Sequence, residues 1–187
     1  MKLNYLTVAA SLGLGAVAHP TGTCSAPSKP EPFGLVAISS GDAVHFSGFN
    51  AALRSIFAGL PSQNATCDGA DDGFATFYIE DGALFLYGPN EQQIFVDRSG
   101  MGQGKIGYTV GDESGPRNGE RTGWAINSNN HLQFDGNDLI ACPNSIDGAY
   151  SIWASAGISN PGGNEGCVGI AARVEKESEP ISCTYSS

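Results

Sequence analysis

The chain has 187 residues, of which 9 are Lys or Arg and 19 are Asp or Glu, giving a formal net charge of −10 at pH 7. So acidic a surface repels phosphate backbones and anionic headgroups, which argues against a nucleic-acid partner and against a membrane-surface role. The length suits one domain with its own core.

Residues 1–18 read as a signal peptide. Lys2 supplies the positive flank, Tyr5 to Val17 are mostly small and apolar, and Ala16-Val17-Ala18 is the small-x-small pattern that signal peptidase cuts. The apolar run falls short of the ~20 residues of a membrane span. The C-terminal "EKESEPISCTYSS" lacks the hydrophobic tail of a GPI signal. A secreted chain beginning at His19 is expected. Residues 19–32, "HPTGTCSAPSKPEP", read as a flexible Pro/Gly/Ser-rich leader, and residues 33–187 as a single all-β domain.

Within that domain the dominant period is two. Strands are expected over Gly34 to Ser39 and Ala43 to Phe46. "NAALRSIFAGLP" (50–61) breaks the pattern: Leu53, Ile56, Phe57 and Leu60 recur at helical spacing, Asn50 is a candidate cap, and Gly59 with Pro61 can stop the segment. One short helix against the sheet is predicted there. Asn64-Ala65-Thr66 follows, the chain's one N-glycosylation acceptor. "ATFYIEDGALFLY" (75–87) is a hairpin turning at Asp81-Gly82. Further strands are expected at Gln93 to Asp97, Ile106 to Val110, Gly123 to Ile126, His131 to Phe134, Asp138 to Ala141, Ala149 to Ala154 and Cys167 to Val174. Short strands separated by turns predict a β-sandwich or barrel. The strand-turn-strand echoes at 37, 78 and 125 keep a β-trefoil as the alternative.

Gly102, Gly104 and Gly107 in "SGMGQGKIGY" match the G-x-G-x-x-G spacing of dinucleotide folds. That fingerprint has meaning only between a strand and a helix. Here β formers and then the loop "GDESGPRNGERTG" follow, so no helix N-terminus faces a pyrophosphate. The glycines read as turn residues, and no cofactor is expected. Carboxylates are plentiful but mostly lie beside Gly or Asn in turns. No serine sits in G-x-S-x-G, and His45 and His131 fall in strand-like alternation, so no catalytic residue is assigned. Trp124, Trp153 and Tyr108, with Tyr150, are the candidates for carbohydrate contact, since an aromatic face stacks on a pyranose ring. In a β domain the same residues also fill cores.

Five cysteines, Cys24, Cys67, Cys142, Cys167 and Cys183, read as disulfides in an oxidising compartment. With no C-x-x-C or Cys-His cluster, no metal site is expected. Spacing alone does not fix which thiol stays single or how the other four join.

Several long stretches carry a resemblance: "FNAALRSIFAGLPSQNATC", "QQIFVDRSGMGQGKIGY", "NGERTGW", "HLQFDGNDLIACPNSIDGAYSIWA" and "NEGCVGIAARVEK". Together with the 75–87 hairpin they are similar to the PhiA family of fungal cell-wall proteins, linked to development of phialides and conidia. The likeness runs from about Phe33 to Tyr185. It implies a secreted, wall-associated, non-enzymatic protein that supports asexual sporulation and stress protection and that the human immune system sees as an allergen. It implies no cofactor and no catalytic residues. Wall polysaccharide or another wall component is the partner to expect; a lectin-like, polysaccharide-binding module is the alternative reading, and a glycoside hydrolase the weaker one. The family's cysteines match Cys67, Cys142, Cys167 and Cys183, whereas Cys24 lies in a leader that departs from the pattern. From strand positions, Cys142 to Cys167 would tie the ends of a three-strand unit, and Cys67 to Cys183 would pin a terminus that otherwise frays.

Overall fold

Burial alternates residue by residue along Gln92–Asp97 and Val168–Lys176, as it must where one face of a pleated strand meets a core and the other meets water. The computed structural model describes Met1 and residues 30–187. The signal peptide, the leader up to residue 29 and Cys24 lie outside the described residues. In the described chain the strands are β1 (Phe33–Ile38), β2 (Phe49–Ala52), β3 (Ser55–Ala58), β4 (Thr66–Cys67), β5 (Phe77–Glu80), β6 (Ala83–Leu86), β7 (Gln92–Asp97) and β8 (Lys105–Tyr108). They continue with β9 (Gly119–Glu120), β10 (Trp124–Ile126), β11 (His131–Phe134), β12 (Leu139–Cys142), β13 (Tyr150–Ala154), β14 (Val168–Lys176) and β15 (Cys183–Thr184). Two single 3-10 turns, Ile146–Gly148 and Pro161–Gly163, complete the described elements.

All pairings are antiparallel, and they close on themselves. The long β14 pairs β1 from Phe33↔Lys176 to Ile38↔Ala171. From β1 the ladder passes to β5, β6, β7 and β8, crosses to β13 at Lys105↔Trp153, and returns through β12 to β14. The result is a barrel. The β2–β3 hairpin wedges between β8 and β13, and the β10–β11 hairpin hangs from β14 through His131↔Arg173. Leu35, Phe77, Leu84, Ile94, Ile106 and Ile152 fill the interior with Phe49 and Trp124 from the hairpins. The cavity these side chains line has a volume of about 10 Å³, room for no more than a water molecule. The core is solid.

Three expectations are corrected. The helix over residues 50–61 is absent: β2 and β3 form a hairpin with Ala51↔Ile56 in register. Leu53 and Arg54 both take positive φ (48° and 55°) at its two-residue turn, the geometry that matches the twist of paired strands. Four apolar residues at helical spacing fit a short hairpin equally well once β8 and β13 offer pairing partners. Ala43 to Phe46 is a turn rather than a strand, with Phe46 at φ 65° and largely exposed. The first of the three echoes therefore lacks its second strand, and the threefold repeat behind the trefoil alternative is not present. The hairpin at 75–87 forms as expected, with Asp81 at φ 50° and Gly82 at φ 77°.

The glycine fingerprint has structural causes. Gly104 sits at φ +96°, and a Cβ there would lie 2.1 Å from the Ala154 carbonyl oxygen. Its amide donates to Asp97 O (2.8 Å) and its carbonyl accepts from Ala154 N (2.8 Å), so this turn fastens the β7–β8 connection to β13.

Buried amides organise the loops. Asn50 Nδ2 donates to Gly73 O (2.5 Å) while its Oδ1 accepts from Leu60 N (2.9 Å). Gln63 Oε1 accepts from Ala51 N, and its Nε2 donates to Phe74 O (2.9 Å). Each amide thus satisfies backbone groups that burial would otherwise leave unpaired.

Two disulfides are present among the described residues, Cys67–Cys183 and Cys142–Cys167. Cys67 and Cys183 are direct partners in the β4–β15 ladder. Cys142 and Cys167 extend the β12–β14 ladder just beyond Ala141↔Val168. The first bridge spans 116 residues and the second 25. In the chain-entropy picture, closing the longer loop contributes about 4 to 5 kcal/mol and the shorter about 3 to 4 kcal/mol. Cys67→Ser and Cys183→Ser are therefore expected to lower stability alike, and by more than Cys142→Ser. Urea titrations of the three variants check this, and a Cys142→Ser protein weaker than Cys183→Ser would reverse the order.

Candidate functional site

A barrel with a filled interior has its chemistry outside, and the outer wall over β3, β8 and β13 carries two adjoining clefts. Because side chains alternate faces along a strand, Lys105 on β8 points outward beside Asp97 on β7 and Trp153 on β13. A cleft of about 460 Å³ on one side of Lys105 is lined by Arg54, Phe95, Glu113 and Pro116. On its other side a hollow of about 300 Å³ is lined by Ser55, Ser145, Ser151, Trp153 and Asn164. Sharing Lys105, with Arg54 and Ser55 adjacent in the chain, the two form one groove.

The β2–β3 turn delivers Arg54 to this groove. Its guanidinium grips Glu113 with two bonds, Nη1 to Oε2 at 2.5 Å and Nη2 to Oε1 at 2.8 Å. Glu113 Oε2 also accepts from Val110 N (3.1 Å). The Arg54 bonds, with that backbone N–H, hold the Glu113 carboxyl down to about 2, and the same pair raises Arg54 above its ordinary value. Phe95 lies across Gly107, where a Cβ would come within 2.6 Å of its ring. Trp153 is half-buried. Its Nε1 donates to Ser151 Oγ (2.9 Å), and the Pro161–Gly163 turn closes against the far edge of the indole. That turn is held by Gly162 N donating to Gln103 Oε1 (2.8 Å). The groove thus offers two rigid aromatic rings among hydroxyls, an amide and two cations.

The other aromatic candidates stand differently. Trp124 is 3% exposed and Tyr108 1%, so neither presents a face to a ligand. Trp124 packs edge-on to Phe134 at 5.0 Å with its Nε1 unpartnered. Tyr108 forms the floor under Arg54, its hydroxyl donating to Ser186 O, and burial pushes the phenol well above its ordinary value. Tyr108 shares the inward parity of Ile106, a signal that alternation in "KIGY" carried, whereas the all-apolar "WAI" gave none for Trp124. Tyr150 is half-buried. Asn64 is exposed, at φ 51° in the loop before β4. His45 accepts from Ser39 N through Nδ1 (3.2 Å). Among the described residues no group of three His, Cys, Asp or Glu is placed to hold a metal.

The outward rings of Phe95 on β7, and of Tyr78, Phe85 and Tyr87 on the β5–β6 hairpin, were not among the candidates. Their signal is parity: each is offset by one residue from a core position in a strand that alternates.

Glu113 allows a pH test. A carboxyl whose folded value is depressed contributes stability that is full above the ordinary Glu range and lost as pH falls towards 2. An NMR titration is expected to place the Glu113 midpoint near 2, and in Arg54→Ala to return it toward the ordinary range. An unshifted midpoint in the wild-type protein would mean that the ion pair is not held in solution.

A family model described as PhiA-like secreted protein matches residues 33–186. The chain is 71% identical to the cell wall protein phiA of Emericella nidulans, 60% to that of Aspergillus fumigatus and 36% to that of Arthroderma benhamiae. In each case the whole of both chains is covered. No solved structure matches. A family model that takes in nearly all of the described domain, with relatives matched end to end, places the chain: it belongs to the PhiA-like secreted proteins and is a secreted protein of the fungal cell wall.

Proposed function

We propose that this protein is a structural, non-enzymatic component of the wall that supports phialide and conidium development and protects against stress. The observation that carries the reading is the end-to-end match, at 71% identity, to a protein named for the cell wall and for phiA. Deleting the gene is expected to reduce conidial counts and leave a wall fraction lacking this chain. Wild-type conidiation in the deletion strain would refute the developmental part.

A second reading, a wall-polysaccharide-binding module, draws support from the Lys105 groove, where Trp153 stands half-exposed beside Ser151 and Asn164. An extended glycan lies naturally along such a furrow, its apolar ring faces on the indole and its hydroxyls on the flanking polar groups. A hydrolase reading of the same groove is poorer. Cleaving a glycosidic bond needs a carboxylic acid that keeps its proton near working pH, and Glu113, the carboxylate lining the groove, is held ionised down to about 2. Pull-down on chitin and on β-glucan is expected to show retention that falls about tenfold in Trp153→Ala, a loss of roughly 1.4 kcal/mol. Equal retention by the variant would remove the groove from consideration.

The secreted form is also proposed to begin at His19 and to carry glycan on the exposed Asn64. Intact-mass measurement with and without glycosidase, on protein from culture filtrate, is expected to show both. A mass that includes residues 1–18 would overturn the processing.

A further inference from the structure

A second aromatic surface lies on the outer face of the β5–β6 hairpin, away from the Lys105 groove. Tyr78 and Phe85 are cross-strand partners, and their rings stack at 5.1 Å with only 12° between planes. Tyr87 meets Tyr78 edge-on, at 6.5 Å and 89°. All three are half-exposed, whereas Phe77, Leu84 and Leu86 of the opposite parity are 1 to 2% exposed in the core. Tyr78 and Tyr87, with Pro30, Glu80, Gly88 and Ser182, line a hollow of about 320 Å³. Its floor is rigid: Tyr87 N donates to Thr76 O (2.8 Å), Tyr87 O accepts from Cys183 N (3.2 Å), and Cys183 is bonded to Cys67.

The charge here contrasts with that of the groove. Lys105, Arg54 and Glu113 line the groove, whereas among the described residues that line the hollow Glu80 is the charged one. Glu91 adds a second nearby negative charge. After burial, Glu80 and Glu91 are what raise the Tyr78 phenol above its ordinary value. The chain as a whole carries −10. Electron-rich ring faces beside carboxylates make a site for a positive group attached to a flat apolar ring.

We propose that the Tyr78–Tyr87 hollow binds an amino-sugar unit bearing a free ammonium group, as in the glucosamine residues of a de-N-acetylated, polycationic glycan. The sugar's apolar face lies on the tyrosine rings, and its ammonium sits between those rings and Glu80. Acetylation removes the charge and adds bulk where the carboxylate needs contact, so a neutral N-acetyl sugar is rejected. The proposal rests on the reading that the chain meets wall polysaccharide, and it names a ligand class and a site separate from the Trp153 groove.

The test is calorimetric titration of the purified secreted protein with a glucosamine hexamer, its fully N-acetylated counterpart, a β-glucan hexamer and oligolysine of similar charge. The glucosamine hexamer is expected to bind at least tenfold more tightly than either neutral glycan, with affinity falling as salt rises. Glu80→Gln and Tyr87→Ala should each weaken it about tenfold, while Tyr87→Phe leaves it unchanged. Tyr87→Phe keeps the ring and the fold, so its retention separates loss of stacking from loss of structure. Oligolysine bound as tightly, or Asp42→Asn as harmful as Glu80→Gln, would mean attraction by net charge alone and would overturn the proposal. Equal affinity for the acetylated hexamer would do the same. Neutral-glycan binding at Trp153 without glucosamine binding would sink this inference but leave the wall reading standing. Glucosamine binding without neutral-glycan binding would remove the Trp153 groove as a glycan site and keep the Tyr78–Tyr87 hollow, whatever the deletion strain shows about conidiation.

Discussion

The side chain of Gln92 acts as one more strand. Buried at 1% exposure, its Nε2 donates to Tyr185 O (3.0 Å) and its Oε1 accepts from Tyr185 N (2.9 Å), so a single amide clamps the C-terminal segment from both sides. The neighbouring bonds depend on that clamp. The Tyr185 hydroxyl accepts from Thr76 N (3.0 Å), and burial, the largest influence on it, pushes the phenol up to about 12. One residue on, Ser186 accepts from Tyr108 through its carbonyl and from Leu53 N through Oγ. Four separate parts of the barrel are thereby stitched to one short segment. Removing the Gln92 amide would strand a buried N–H and C=O, each costing about 1 to 3 kcal/mol. That is a large fraction of the ~5 to 15 kcal/mol by which a domain is stable.

Both outer surfaces inherit their geometry from this segment. The β2–β3 turn that presents Arg54 to Glu113 is the turn that Ser186 holds through Leu53. The floor of the tyrosine hollow is Tyr87, bonded to Cys183 two residues before Tyr185. The Cys67–Cys183 bridge is thus more than a constraint on the unfolded chain. It fixes the near end of a strap whose far end orders the groove.

Charge is distributed with a similar economy. Arg98 bridges Glu120 (2.8 Å) and Asp135 (2.6 Å) while lying 4.9 Å over the Phe134 ring. Arg54 holds Glu113, and Arg173 holds Glu175. With 9 basic residues against 19 acidic ones in the chain, arginines committed to pairs leave the remaining carboxylates uncompensated. Those pairs are exposed enough that each contributes little to stability. Their consequence is a surface whose free charge is negative, the field in which any ligand arrives.

How much of this was legible in the sequence follows from how local each signal is. The 75–87 hairpin and the strand at His131–Phe134 were readable because alternation and an Asp-Gly turn are local facts. The residue 50–61 segment was misread because Leu53, Ile56, Phe57 and Leu60 satisfy a helical period over too few residues to exclude a hairpin, and pairing with β8 and β13, distant in sequence, decided the matter. The two-residue strands β4 and β15 have no periodicity to detect; they exist because Cys67 and Cys183 face each other. Trp124 and Tyr108 were ambiguous because an aromatic residue serves equally as core and as platform, and only strand parity tells which. Parity becomes decisive once the ring of strands is known to close. With about 10 Å³ left inside, every inward aromatic is committed to packing, and recognition of anything larger than water is left to the outward set: Trp153 and Phe95 on one wall, Tyr78, Phe85 and Tyr87 on another.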